Sequence, residues 1–188
     1  MPKRPSAQAR IRQAALELFG RKGIAGATVQ DIAARAHCSQ AAIYKYWDGK
    51  DALAEDLFRV AYSELLDSMK GQAGVWQDPR KRAEGAAQGF LDYARRRPAE
   101  HALLFLVFHT DYVKWIAREV KPSDLVEREI QAGMEAGSIA AGDPAVKTAM
   151  ILGIAIRLAV FERQKMIKAE RPAVDRELRD AVSAILAI

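Results

Sequence analysis

The residues with most to offer chemically lie between positions 39 and 50, in the stretch Gln40-Ala41-Ala42-Ile43-Tyr44-Lys45-Tyr46 and at Lys50. A glutamine presents donor and acceptor together and can pair with adenine. Small alanines allow close approach and touch thymine methyls, and tyrosine and lysine reach phosphates. Lys50 falls in the first turn of the next helix, beside backbone N–H groups that lack intrahelical partners and attract phosphate themselves. This is chemistry for meeting a polyanion. Elsewhere no Gly-rich phosphate loop, metal cluster or paired nucleophile and base stands out, so neither an enzyme nor a cofactor is expected. Cys38 has no second cysteine to pair with and no metal-ligand spacing with His37, His101 or His109. It reads as a small apolar residue in a turn in preference to a redox sensor.

The elements that must position these residues are helical. Pro and Gly mark the joints, the segments between them carry helical period, and no alternating strand or internal repeat appears, so the expected class is all-α. Ser6 caps a first helix with Ile11, Ala15, Leu18 and Phe19 on one face, stopped at Gly23. Thr28 caps a short second helix with Val29, Ile32, Ala33 and Ala36 inward. Ser39 caps a third, anchored by Ile43 and Trp47. Only Ala36-His37-Cys38-Ser39 separates the second and third helices, the tight turn of a helix-turn-helix whose second helix would lie in a major groove. Two short helices with a tight turn also occur in proteins that never touch DNA.

Lys50-Asp51 opens a long fourth helix, expected to reach about Lys70, with a loop over Gly71–Gln77. Asp78-Pro79 starts a fifth, which ends at Arg95-Arg96-Arg97 before Pro98. A sixth spans roughly Ala99–Ile116. Pro122-Ser123-Asp124 begins a seventh that ends at Gly137, Asp143-Pro144 a long eighth, and Pro172 precedes a last helix over Val174–Ile188. The arginine triplet reads as a solvated helix end that complements the dipole, in preference to a phosphate patch.

Charge distribution fits a nucleic-acid-binding head. Residues 1–55 carry nine Lys and Arg against five Asp and Glu, whereas residues 56–188 carry twenty against nineteen, so the net +5 is concentrated at the front. No apolar run approaches the roughly 18–20 residues of a membrane span, and the first residues lack a signal-peptide core. The expectation is a soluble, cytoplasmic chain with no membrane partner.

The stretch from Arg10 to Leu57, which includes ALELFGRKGIAGATVQDIAARAHCSQAAIYKYWDGKDAL, resembles the DNA-binding region of the TetR family of bacterial transcriptional regulators. The likeness lies in an apolar first helix ending in Phe and Lys-Gly, a Thr-Val start to the second, an aromatic-rich end to the third, and a lysine leading into the fourth. By that resemblance Thr28, Gln30, Ser39, Gln40, Ala41, Tyr44, Lys45, Tyr46 and Lys50 belong to the DNA-binding surface. Tyr44 and Lys50 are then phosphate clamps and Gln40 the first choice of base reader. Three positions depart from the family pattern. His37 replaces glycine in a turn that tends to need positive φ, Cys38 replaces valine, and Asp48-Gly49 replaces Pro-Ser. The resemblance implies an N-terminal three-helix helix-turn-helix domain, residues 1–50, and a C-terminal helical bundle, residues 51–188, for ligand binding and dimerisation. The implied partners are double-stranded operator DNA, a small-molecule effector and a second copy of the chain, and the implied role is a repressor.

Helix eight reads AMILGIAIRLAVF over Ala149–Phe161, apolar on every side but Arg157. One buried face cannot account for it, so it is either covered by a symmetry mate or buried centrally within one chain. Helix six carries an aromatic stripe that is either plain core or the wall of an effector cavity. On the second reading the resemblance points to Phe105, Phe108, His109, Tyr112, Trp115, Met134, Met150, Ile154 and Arg157 as ligand-binding residues. An arginine in such a run is expected to meet a carboxylate of the protein, the partner chain or an acidic ligand.

Overall fold

In a computed structural model, residues 5–105 and 121–187 are described. Among them the regular structure is helical: α1 (Ala7–Lys22), α2 (Val29–Arg35), α3 (Gln40–Tyr44), α4 (Lys50–Ala73), α5 (Pro79–Arg96), α6 (Pro98–Phe105), α7 (Pro122–Glu135), α8 (Pro144–Arg163) and α9 (Arg171–Leu186). This is an all-α fold with an N-terminal helix-turn-helix and a C-terminal helical part. The chain forms two compact units, one of residues up to Tyr62 together with the segment from Ala99, the other of Ser63–Pro98 and the residues from Lys121 onward, so the division falls within α4.

The first unit closes on Ile11, Ala15, Leu18, Phe19, Ile32, Ile43, Trp47, Leu53 and Leu57, with Leu103 of α6 in the same cluster. Each fully buried Leu, Ile or Phe contributes about 1.5–3 kcal/mol. That matters here because helices of seven and five residues do not stand alone in water.

In the second unit α5 is the central element. Its Ala83, Ala86, Ala87, Phe90, Leu91 and Ala94 are buried, and it packs against α7, α8 and α9. Small residues set its approach to α4, since a Cβ at Gly89 would lie 2.5 Å from the Ser68 carbonyl oxygen and 2.7 Å from Met69 Cα. At the other end of α5 the structure corrects the reading of Arg95 as a solvated helix end. Its side chain is 9% exposed and grips Glu162 of α8 through two bonds of 2.8 and 2.7 Å and Asp175 of α9 at 2.6 Å. The bidentate Glu162 contact, opposed by burial and reinforced by Asp175, holds its pKa above the usual arginine value. Arg96 instead donates to Ser68 and Arg97 pairs with Glu64.

α4 runs to Ala73, past the expected end, because Met69 and Ala73 still face inward. α9 begins three residues early, with Pro172 inside its first turn. α8, unlike the sequence expectation, is long and apolar enough by length and composition to cross a membrane, with 20 residues, mean hydropathy 1.7 and 28% of its window buried. Its Thr148, Ile151, Ala155, Ala159 and Val160 face inward, while Val146, Ala149, Met150, Gly153 and Arg157 form an exposed stripe at helical spacing.

Candidate nucleic-acid interface

The helix-turn-helix is assembled by its caps. Thr28 Oγ1 accepts from Asp31 N at 3.0 Å, and the Asp31 carboxylate accepts from Thr28 N at 3.3 Å, a capping box that satisfies two donors at once. The Thr28 hydroxyl first, then the Thr28 backbone N–H, hold the Asp31 carboxyl below the usual range. Ser39 Oγ accepts from Ala42 N at 3.2 Å. Each hydroxyl thus uses one acceptor lone pair to start its helix, and the Thr28 hydroxyl also interacts with the Asp31 carboxylate.

Between the two caps the turn passes through His37 at φ +52, the left-handed conformation where the resemblance led us to expect strain. Cys38 N closes the turn on Ala33 O at 3.0 Å, and the Cys38 side chain packs half-buried against the core, as a small apolar residue would. Arg10 donates to the Ala36 carbonyl at 3.3 Å and so ties α1 to the turn.

Ile43 is fully buried and Trp47, one turn further on, is 7% exposed, so the opposite side of α3 must face out. That side carries Gln40, Ala41, Tyr44 and Lys45, all exposed, with Tyr46 beside them. The two phenols are 55% and 43% exposed, which no packing argument inside this chain accounts for. Gln30 is exposed in the first turn of α2. Lys50 is half-buried, with Nζ 3.4 Å from the Ala25 carbonyl oxygen, a long contact that a phosphate would easily displace.

Two interactions lay beyond sequence reasoning. Trp47 Nε1 donates to Asp56 Oδ2 at 2.8 Å, and Arg12 Nη2 pairs with the same oxygen at 2.7 Å while its guanidinium lies 5.9 Å from the centroid of the Trp47 ring. Both join residues distant in sequence, and no local motif announces them.

The residues expected to bind an effector are only partly accounted for. Phe108, His109, Tyr112 and Trp115 lie outside the described residues. Phe105 ends α6, half-buried, with its ring 5.0 Å from that of His101. Met134 and Ile154 are half-buried on α7 and α8. Met150, at 51% exposure, and Arg157 lie on the outward stripe of α8, and the Arg157 guanidinium stacks 4.5 Å from the centre of Phe161. A cavity of about 270 Å³ at the α8–α9 turn is lined by other residues, among them Ala94, Arg95, Ala159, Glu162 and Arg171.

Residues 11–57 match the family described as bacterial regulatory proteins, tetR family. The chain is 28% identical over 180 residues to the HTH-type transcriptional repressor SCO4008 of Streptomyces coelicolor, covering 93% of this chain and 90% of that one. It is 34% identical over 73 residues, 38% of either chain, to the uncharacterized HTH-type transcriptional regulator YvdT of Bacillus subtilis. Among solved structures, a bacterial regulatory protein in the tetR family from Rhodococcus RHA1 superposes with a TM-score of 0.82 at 20% identity, covering 98% of this chain and 99% of that one. Residues 11–57 are thus similar to the tetR-family region, and nearly the whole chain is similar in its all-helical fold to a solved structure described as a regulatory protein of that family.

Proposed function

We propose that this protein is a cytoplasmic homodimeric repressor, not an enzyme, that binds a pseudo-palindromic operator and is released from it by a small, largely apolar effector. The observation that carries the DNA reading is the two-sidedness of α3: Ile43 and Trp47 hold it to the core, while Gln40, Ala41, Tyr44 and Lys45 are exposed on the other side. On this reading Gln40 and Ala41 read base edges. Gln30, Tyr44, Lys45, Tyr46 and Lys50, with the hydroxyls of the capping residues Thr28 and Ser39, position the helix on the phosphates. Residues 1–50 then form the DNA-binding part and residues 51–188 the part for effector and partner.

Repression is supported by the full-length relative named as a repressor. Dimerisation is supported by the α8 stripe of Val146, Ala149, Met150 and Gly153, an apolar face on a helix otherwise built into the core. A second copy would cover it isologously, and a two-fold protein suits two half-sites about one helical turn apart. Effector binding follows the resemblance. Phe105, Met134 and Ile154 remain candidate lining together with the four residues beyond those described, whereas Met150 and Arg157 fit the partner face better.

Selection of duplexes from a randomised pool by the purified protein tests this reading. An enriched inverted repeat bound by two protomers is expected, and a protein that enriches no sequence, or that sediments as a monomer at micromolar concentration, overturns it.

A further inference from the structure

The recognition helix is five residues long, and the chain beyond it must still present Tyr44, Lys45, Tyr46 and Lys50 as one surface. Backbone bonds from Tyr46 N and Trp47 N to the Ile43 carbonyl, at 2.9 and 3.0 Å, carry the turn to Trp47, and bonds from Gly49 N to the Trp47 carbonyl and from Leu53 N to the Gly49 carbonyl, at 2.8 and 3.2 Å, lead it into α4. Between them Gly49 stands at φ +106, a conformation that glycine enters freely. The Trp47 indole, 7% exposed, adds the side-chain anchor that ties the end of this surface to the core.

It is held on two sides. Arg12 of α1 lies over the ring, and Asp56 of α4 accepts the indole N–H at 2.8 Å and the Arg12 guanidinium at 2.7 Å through one oxygen. Asp56 is less than one-third exposed, so both bonds form in a partly desolvated site where a charged acceptor is strong. A phenylalanine at position 47 would fill the same slot and keep the arginine contact, but would take the indole proton from Asp56 and leave it paired with Arg12 alone.

We propose, on the strength of the DNA-binding reading above, that Asp56 is a positioning residue for operator recognition. Through Trp47 it latches α4 to the end of α3 and fixes Tyr44–Tyr46 relative to Lys50, so that base-reading and phosphate-binding groups meet the groove together. Asp56 itself does not touch DNA.

The test uses the full-length protein, with Trp47→Phe, Asp56→Ala and the double variant compared on the duplex that the wild type enriches and on alternating poly(dI-dC). Each single variant is expected to lose roughly tenfold in affinity for the enriched duplex, as for a hydrogen bond to a charged group. The double variant should lose no more than Asp56→Ala alone, and affinity for poly(dI-dC) should change by less than about threefold, because scattered phosphate contacts do not need the register. Loss of folded protein would lower the active fraction in the titration and leave the specific-to-nonspecific ratio unchanged, so the ratio separates positioning from simple destabilisation. In a ¹H–¹⁵N spectrum the indole signal that disappears in Trp47→Phe should be protected from exchange in the wild type and unprotected in Asp56→Ala, without any DNA present.

Multiplying losses in the double variant, or an unchanged specific-to-nonspecific ratio, would overturn the proposal. An unprotected indole in the wild type would overturn the latch itself. A wild type that enriches no duplex would overturn the DNA reading instead, while the indole signal still decides whether Asp56 holds Trp47.

Discussion

Replacing Arg95 with alanine removes the cation that, among the described residues, pairs with both Glu162 and Asp175, whose side chains are 18% and 24% exposed. Breaking a buried ion pair from one side costs about 3–5 kcal/mol, because the charge left behind has lost its water as well as its partner. The two carboxylates keep some solvent, so the lower end applies, about 3 kcal/mol. For a chain of 188 residues that is a drop of about 6–12 °C in Tm. Arg95→Lys keeps the charge, but a single ammonium cannot fork between the two carboxylates, and about half the loss is expected. The sharper comparison is Arg95→Met combined with Glu162→Gln and Asp175→Asn. Removing the whole network is often nearly neutral, so this triple variant should recover most of the stability lost by Arg95→Ala. Urea denaturation at fixed protomer concentration measures all three, the concentration being held because the proposed dimer would make apparent stability concentration-dependent. Refutation would be an Arg95→Ala chain within about 0.5 kcal/mol of wild type, or a triple variant as unstable as the single one, since either means that α5, α8 and α9 are joined by apolar packing and not by this ion cluster.

Gly89→Ala should destabilise by about 1–3 kcal/mol in the same denaturation assay despite the better helix propensity of alanine, because its Cβ would meet α4 backbone at 2.5 Å. His37→Gly should be neutral or stabilising by up to about 1 kcal/mol, and His37→Val destabilising, since a β-branched residue tolerates φ +52 worst; thermal melts of the two variants decide the sign. Glu17 has its pKa lowered first by the Gln13 amide and then by Arg35, so its contribution to stability is present above the ordinary glutamate value and lost as pH falls through the lowered one. Glu17→Gln should accordingly flatten part of the stability loss between about pH 5 and 3, read from denaturation midpoints. Lys50→Ala should weaken binding to all duplexes alike and reduce the salt slope by about one unit per half-site in anisotropy titrations.

The first unit was legible because its instructions are local. Ser6, Thr28 and Ser39 each accept a backbone N–H three residues on from their own position, and the helix starts follow. The outward side of α3 was equally readable, since placing Ile43 and Trp47 inside leaves Gln40 and Tyr44 only one direction. Arg95 was misread for the opposite reason. Its sequence neighbours, two further arginines and a proline, describe a solvated helix end, whereas its partners stand 67 and 80 residues away. The Trp47–Asp56–Arg12 cluster is non-local in the same sense. α8 shows a third limit: a helix apolar on all sides carries no period to say which side is covered, so the exposed stripe that holds Met150 and Arg157 could not be read from the sequence.

The central claim, that the outward side of α3 reads DNA sequence, is tested most directly by titrating wild type and Gln40→Ala against the enriched duplex and every single base-pair substitution of one half-site. If Gln40 pairs with a base edge, the variant loses discrimination of about 1–3 kcal/mol at one base pair and keeps the wild-type preference at the others. A uniform loss at every position, or an unchanged preference throughout, would contradict the assignment of α3 as the recognition helix presented in this orientation.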